Sequence, residues 1–369
     1  MNESLSKGSV CFLTLDMGFG GAEKVIATLA NKLSESGREV TIVTFLDQND
    51  FSNVLDTRIK IDYLSVKNFK TSFFVLCNYL HKNRFDNFIA NIWPLTIFSL
   101  PIRFFSRKTN LVFIEHCILS EQYKSKHLIF KFLLKLSISM FYRFAHHVVC
   151  VSQGVKDDLI SFGVPKNKSL VIFNPLMPAF SNACDLKNKK IRNWIQGSSI
   201  NLVAVGQLIQ AKNFLNLIKS INILVHREKY DLRLLVLGDG EERVALEDAI
   251  NEYSLGQHVY LPGWVEDPIP FIESSDLLVL SSDYEGFGLV IIEALSVGVN
   301  VVSTNCKTGP SEILKGGEFG FLCAVNDEKS LSSSIKEALK KPLPKNKLLE
   351  RASDFSPRKI TEEYEKILI

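Results

Sequence analysis

The sequence lacks an excess of either charge: 43 Lys and Arg stand against 40 Asp and Glu in 369 residues. That balance gives no global argument for a nucleic-acid partner, and none is expected. It also lacks a disulfide pattern. Its seven cysteines, at 11, 77, 117, 150, 184, 306 and 323, are scattered, odd in number and form no C-x-x-C pair. Buried thiols in a reducing compartment are the expectation. Long apolar runs are missing too. The longest charge-free stretch in the N-terminal half, Asn87 to Ile102, has sixteen residues broken by two Pro and two Asn. It is too short and too interrupted to span a bilayer. The polar opening MNESLSKGSV leads straight into a strand-like run, so no secretory leader is expected. There is no repeat, no Asp-x-Asp motif at a strand end and no His/Cys cluster with metal-ligand spacing, so no obligatory metal is expected. The Asp157–Asp158 pair reads as a solvated helix start.

What is abundant is apolar: 46% hydrophobic residues, with 26 Phe. Residues 8–16 form a strand candidate, and Gly18, Gly20 and Gly21 follow it. A helical pattern runs from there to Gly37, and EVTIVTFL reads as the next strand. This is a βαβ opening. FDNFIAN, TNLVFIEH, HHVVCVS and SLVIFNP continue the series to about residue 175. They are continuous apolar runs, as suits a parallel sheet covered on both faces. A polar stretch, 176–198, reads as a linker. A second alternation starts at INLVAVGQ and occupies 199–355, and residues 356–369 form a terminal helix that could pack back on the first domain. Two doubly wound α/β domains are expected, facing each other across a deep cleft, with ligands at the carboxyl ends of their strands.

Within that frame, SDYEGFGLVIIEALSVG (282–298) places one carboxylate, Glu285, in the Gly-rich loop after a strand and a second, Glu293, in the helix that follows. Gly286 and Gly288 allow a tight turn with exposed N–H groups, and the helix starting near Leu289 aims more of them into the same space. Glu285 could grip hydroxyls there as an acceptor. Glu293 lies between Ile291, Ile292, Ala294 and Leu295, where a carboxylate must be paired, hydrogen-bonded or lining a cavity. The plainer alternative leaves Glu285 to solvent and lets Glu293 gain from the helix dipole. Lys212 follows the GQLIQA loop; it is either a functional cation or a solvated lysine in a first helical turn. Residues 123–147 carry Lys124, Lys126, Lys131, Lys135 and Arg143 through an apolar helix, much of whose remaining surface is formed by Phe130, Leu133, Leu134, Ile138 and Phe141. That helix reads either as an anchor on an anionic membrane or as an ordinary cover for the first sheet.

EGFGLVIIE resembles the E-x7-E signature of the retaining, nucleotide-sugar-dependent glycosyltransferases of family 4, which have the GT-B fold. GFGGAEKV (18–25), VSQGVKDDL (151–159), VIFNP (171–175), VGQLIQAKNF (205–214), VLGDGEE (236–242), YLPGW (260–264) and TGPSEIL (308–314) resemble the family's other landmarks, in order, over essentially the whole chain. The resemblance implies a GT-B transferase moving a hexose or N-acetylhexosamine, with retention, from a nucleotide sugar such as a UDP sugar. The acceptor would be a glycan or a lipid-linked saccharide in lipopolysaccharide or capsule synthesis; such an acceptor suits the anchor reading of residues 123–147, with which a peripheral place on the cytoplasmic face of the inner membrane is expected. Glu285 would hold hydroxyls of the transferred sugar, and Gly286, Phe287, Gly288 and Leu289 would present backbone amides. Glu293 would accept from the ribose hydroxyls, and Lys212 would neutralise the donor diphosphate. Gly21 would allow close approach to that diphosphate, while Glu23 would brace the turn or meet the acceptor. His116 would orient the sugar. The chain departs from the family at Gln207, where most relatives have Arg, and Lys307 is a candidate replacement. A nucleotide-sugar epimerase of the same fold and a non-catalytic nucleotide-sugar-binding module are the rival readings.

Overall fold

A computed structural model describes residues 7–66, 69–177, 189–196 and 200–369. The chain divides into two compact units: Met1–Met177 with Phe355–Ile369, and Pro178–Asp354. The stretch read as linker lies mostly outside the described residues, and its described part includes a helix, Lys189–Gln196.

The first unit is built on seven parallel strands: β1 Val10–Thr14, β2 Val40–Thr44, β3 Lys60–Tyr63, β4 Asn87–Asn91, β5 Asn110–Glu115, β6 His147–Cys150 and β7 Ser169–Val171. Their order is β3-β2-β1-β4-β5-β6-β7. Every residue of β1, β2, β4 and β5 is buried, which is why these strands read as unbroken apolar runs. The helices are α1 Gly21–Glu35, α2 Phe69–Lys82, α3 Leu95–Phe98, α4 Ile102–Phe105, α5 Leu119–Gln122, α6 Leu128–Phe141 and α7 Gln153–Ser161. β3 gives no apolar signal, because KIDY is an edge strand with no buried residue.

The second unit carries α8 Lys189–Gln196 and six parallel strands: β8 Ile200–Val205, β9 Leu232–Leu237, β10 Val259–Gly263, β11 Leu277–Leu280, β12 Asn300–Thr304 and β13 Phe321–Cys323. Their order is β10-β9-β8-β11-β12-β13. Its further helices are α9 Phe214–Asn222, α10 Arg243–Glu252, α11 Ile269–Glu273, α12 Leu289–Val297, α13 Pro310–Ile313, α14 Glu328–Lys340 and α15 Lys345–Ser353. Leu202, Ala204, Leu217, Ile221, Leu234, Val302 and Ile335 lie in one buried cluster between the sheet and its helices.

The last helix, α16 Pro357–Glu365, returns to the first unit and packs on α1. Arg38, only 8% exposed, fastens it. Its guanidinium donates to Glu365 at 2.7 and 3.0 Å, to the Gly8 carbonyl at 3.0 Å and to the Ile369 carbonyl at 2.9 Å. A buried guanidinium needs this many acceptors to offset its lost hydration.

Two expectations about surfaces change. α6 spans Leu128–Phe141 rather than the whole of 123–147. Of the apolar residues read as its outer surface, Leu134 and Ile138 are buried, Phe130 and Phe141 are half-buried, and Leu133 alone is exposed. A helix covering a sheet must turn one apolar stripe inward, and this is the stripe. Asp158 is half-buried and not simply solvated: its carboxylate accepts the Ser120 amide at 3.1 Å. No helix of the described residues is long and apolar enough to cross a membrane.

Candidate functional site

In each sheet the strand order reverses at one point, between β1 and β4 in the first and between β8 and β11 in the second. Connections leave such a pair toward opposite faces, so a crevice opens beyond the carboxyl ends of the two strands. The residues singled out by the sequence gather at these two places.

In the second unit, Lys212 lies in the connection from β8 to α9, and Glu285 lies in the loop after β11. Lys212 Nζ is 2.7 Å from Glu285 Oε1. The same oxygen accepts the Ser282 hydroxyl at 2.6 Å. Glu285 is 8% exposed, so this carboxylate is not left to solvent. The base of the pair is tied across the switch point. Ser281 donates to the Lys212 carbonyl at 2.8 Å, the Asp283 amide to the Ala211 carbonyl at 2.8 Å, and Asn213 to Asp283 at 2.7 Å. Asn213 has φ 47°, a left-handed conformation that Asn tolerates better than most residues, and its side chain caps α9.

The Glu285–Gly288 loop leads directly into α12, whose first residue is Leu289. Phe287 is buried, so the loop exposes backbone rather than the aromatic ring. The loop after β12 supports it: Thr308 donates its hydroxyl to the Glu285 carbonyl. Gly309, at φ 80°, passes so close beneath that a Cβ there would lie 2.2 Å from the Phe287 carbonyl oxygen. Glu293 sits on α12, 5% exposed, among fully buried Ile291, Ile292, Ala294 and Leu295. The loops after β8 and β9 interlock in a similar way. The Gly206 amide bonds the Leu237 carbonyl at 3.0 Å and the Leu208 amide the Asp239 carbonyl at 2.9 Å. A Cβ on Gly238 would fall 1.9 Å from the Gly206 carbonyl oxygen. Gln207 is exposed in this interlocked pair of loops, and Lys307 is exposed in the loop after β12. Cys306, the residue before Lys307, is buried; burial first and the Glu285 charge second push its thiol up to about 12, so it holds its proton.

The sequence reading missed the residues that hold this loop: Ser282, Asn213, Thr308 and Gly309. Thr308 and Gly309 stand inside the quoted TGPSEIL stretch, but nothing in that stretch shows that its service is structural support for a loop twenty residues earlier.

In the first unit, Gly21 is the exposed first residue of α1, beyond the end of β1. Glu23 folds its carboxylate across Gly20. Burial, with a smaller contribution from the charge of Asp16, raises it to about 7. His116 follows β5 and is half-buried. Its Nε2 is 3.4 Å from Asn91 Oδ1, and Asn91 donates to the Leu13 carbonyl at 3.3 Å. The ends of β1, β4 and β5 are thereby linked. Burial lowers the His116 pKa to about 4, so the ring is neutral at physiological pH. Its neighbour Glu115 is fully buried, receives the Tyr142 hydroxyl, and is pushed up to about 8 by burial. Tyr142 is also 3.0 Å from the Thr96 hydroxyl. Glu115 therefore points into the core and His116 toward the strand ends, the alternation expected of consecutive strand residues. No group of three or more His, Cys, Asp or Glu that could hold a metal ion is found among the described residues.

Comparison with known proteins covers both units. Residues 19–179 match the family described as "Glycosyltransferase Family 4", and residues 187–356 match "Glycosyl transferases group 1". Among curated proteins, the chain is 29% identical over 378 residues to the N-acetylgalactosamine-N,N'-diacetylbacillosaminyl-diphospho-undecaprenol 4-alpha-N-acetylgalactosaminyltransferase of Campylobacter jejuni, covering 96% of this chain and 97% of that protein. It is 25% identical to the amylovoran biosynthesis glycosyltransferase AmsD of Erwinia amylovora, covering 95% and 96%. Among solved structures, HepE of Anabaena in complex with UDP-glucose superposes with a TM-score of 0.80 at 21% identity, covering 97% of this chain and 98% of that one.

Proposed function

The chain belongs to the family 4 glycosyltransferases and has the GT-B fold, and from that premise we propose that it transfers a hexose or N-acetylhexosamine from a UDP sugar, with retention, to a lipid-linked saccharide. The observation that carries the reading is the Lys212–Glu285 pair, fixed across the switch point of the second sheet beside the start of α12. In this reading the donor diphosphate lies against the N–H groups of Gly286, Gly288 and Leu289 and the ammonium of Lys212. Glu285, itself held by the Ser282 hydroxyl, keeps that ammonium in place. As the glycosidic bond breaks, negative charge grows on the departing phosphate, and a cation already fixed beside it stabilises the transition state without reorganising.

The second oxygen of Glu285 takes a hydroxyl of the transferred sugar, and Glu293 accepts from the ribose. His116, neutral, donates or accepts a hydrogen bond at the sugar but carries no charge into the reaction. The incoming hydroxyl gives its proton to the leaving phosphate on the same face of the sugar, so the enzyme groups position partners and offset charge. The lipid-linked acceptor is supported by relatives whose names specify diphospho-undecaprenol substrates, and a place on the cytoplasmic face of the inner membrane is part of the same proposal. UDP as the nucleotide is supported by the neighbour solved with UDP-glucose.

The test is a panel of nucleotide sugars incubated with diphospho-undecaprenol-linked saccharides, with the product's anomeric configuration read by NMR coupling constants. Transfer from a UDP sugar with the donor's configuration kept is the expected result. An inverted product overturns the retaining mechanism. Donor binding without turnover on any acceptor overturns catalysis altogether.

A further inference from the structure

α6 is apolar on two sides, and only one of them is used within its unit. Leu134 and Ile138 point inward and are buried. On the opposite side Leu128, Ile129, Phe132, Leu133, Leu136 and Met140 are exposed, from 41% for Leu136 to 75% for Leu128. At 3.6 residues per turn these six share one outward stripe, and Lys131 and Lys135 lie along its border with the inner face. A helix that is apolar all round requires a second cover. With fourteen residues, or roughly 21 Å of helix, it is too short to cross a bilayer and long enough to lie in its surface.

The exposed apolar surface continues beyond α6. The connections through α2, through α3 and α4, and through α6 all lead from one strand to a strand further along the same direction of the sheet, so right-handed crossovers put them on one face. Ring contacts join them: Phe73 of α2 to Phe98 of α3 at 6.0 Å, and Trp93, before α3, to Phe130 of α6 at 6.1 Å. Phe74 is 71% exposed and Phe104, on α4, 85%. Large aromatic side chains left this open on three elements of one face exceed the scattered exposure normal for a soluble surface.

Charge points to what covers it. From Ile102 to His147 the chain carries eight Lys or Arg and two Glu. Of the two, Glu115 is fully buried, and Glu121 lies 3.4 Å from Lys124. The surface is thus apolar with a basic border and almost no compensating acid, whereas the whole chain is near charge balance. A protein partner would need an apolar and acidic patch of matching shape. An anionic bilayer offers both features over any area, with acyl chains for the aromatic and aliphatic stripe and phosphates for the lysines.

We propose that the outward face of α6, together with Phe104 and Phe74, docks the first unit onto an anionic lipid bilayer. The proposal deepens the reading of a lipid-linked acceptor and rests on it: docking would bring the first unit to the surface where such an acceptor lies.

The experiment is flotation of the full chain with vesicles of phosphatidylglycerol and phosphatidylcholine, and with pure phosphatidylcholine. Wild type is expected to float with the anionic vesicles, weakly with the neutral ones, and less as salt rises. The triple variant Ile129→Ser, Phe132→Ser, Leu136→Ser alters only outward side chains. It is expected to bind at least about tenfold more weakly, with an unchanged circular dichroism spectrum and unchanged turnover on a short-chain, water-soluble acceptor. In a separate variant, Phe132→Trp, brominated acyl chains should quench the new fluorescence. Wild type that stays off anionic vesicles, a triple variant that binds as well as wild type, or an unquenched Trp overturns the docking. So does a dimer in solution that the triple variant dissociates, since a second copy then covers the face. Vesicle binding by a chain that turns over no acceptor leaves the docking standing and defeats the enzymatic reading instead.

Discussion

The two units have the same sheet logic and the same kind of switch point, yet they treat charge in opposite ways there. The second unit holds charge in place: Lys212 and Glu285 are 2.7 Å apart, supported by Ser282 and by a loop braced from β12. The first unit shifts its groups toward their neutral forms: burial takes His116, at the strand ends, down to about 4, raises Glu23 to about 7, and raises Glu115, in the core behind them, to about 8. A departing diphosphate is stabilised by a fixed cation, while a sugar hydroxyl can be met by a charged acceptor or by a neutral group that avoids the cost of desolvating an ion. In the proposed reading the second unit then takes the leaving diphosphate together with the hydroxyls held by Glu285 and Glu293, while His116 offers the first unit's neutral contact.

The largest effect is expected where charge is held. Lys212→Ala should lower kcat more than it weakens donor binding, because its interaction grows as the bond breaks. A loss of about 2–4 kcal/mol corresponds to roughly 30- to 1000-fold in rate. Gln207→Arg sharpens the test. In a pocket of family geometry the added guanidinium is tolerated and partly rescues Lys212→Ala; in a pocket where Lys307 already fills that space it lowers activity further. Steady-state rates of wild type, both single mutants and the double mutant decide. Full turnover in Lys212→Ala would break the comparison at its strongest point.

Next comes the brace. Gly309→Ala places a methyl where only 2.2 Å is available beneath the Phe287 carbonyl, so the Gly286–Gly288 backbone must shift. Misplacing donor amides by an ångström costs about 100-fold in kcat. Chemical denaturation should show a smaller loss of stability than the loss of rate suggests, because the clash lies in a loop at the strand ends. Kinetics equal to wild type would show that the loop does not position the donor.

These two cases mark how far the sequence could be read. Lys212, Glu285 and Glu293 were legible because each sits beside a strand end with glycines or a helix start nearby, and those features are local. β1, β2, β4 and β5 were legible because strands buried on both faces cannot hide their composition. Thr308 and Gly309 were not, since their role depends on which loop lies above them, and only the β11–β12 pairing fixes that. The outward face of α6 is not legible for a related reason. Periodicity shows that a helix has two apolar sides but not which one the sheet takes, and it is Leu134 and Ile138 that lie inside. β3 was silent because an edge strand without buried residues looks like loop.

A smaller effect is expected from carboxylate and imidazole substitutions that keep shape. Glu293→Gln should weaken UDP binding about tenfold, measured by titration calorimetry, because an amide is a poorer acceptor for two ribose hydroxyls. His116→Ala should raise KM by a similar factor, whereas His116→Asn, which keeps a neutral donor and acceptor, should stay within about threefold. With its pKa near 4, His116 contributes no step to the pH–rate profile around 6.5. A limb at 6.5 that vanishes in His116→Asn would mean that the ring titrates near its ordinary value in the working enzyme, so that burial does not hold it neutral.

The smallest effect is thermodynamic and concerns Glu115, which holds its proton in the folded state up to about pH 8 against an ordinary value of 4.5. Between those values the unfolded chain has released a proton that the folded chain keeps. Stability from this group is therefore present below pH 4.5, falls as pH rises toward 8, and is level above it. His116 acts in the opposite sense, with stability lost as pH falls from 6.5 to about 4, so the window from 6.5 to 8 separates the two. Glu23, raised to about 7, changes in that window too, but equally in both proteins under comparison. Glu115→Gln keeps a carbonyl for the Tyr142 hydroxyl and has no proton to release. Its Tm should accordingly decline less than that of wild type from pH 6.5 to 8, ending a few °C higher at pH 8, roughly what 1 kcal/mol is worth in a domain of this size. Parallel Tm curves for the two proteins across that window would mean that Glu115 is charged in the fold, and the core of the first unit would then hold an ion as the second unit does.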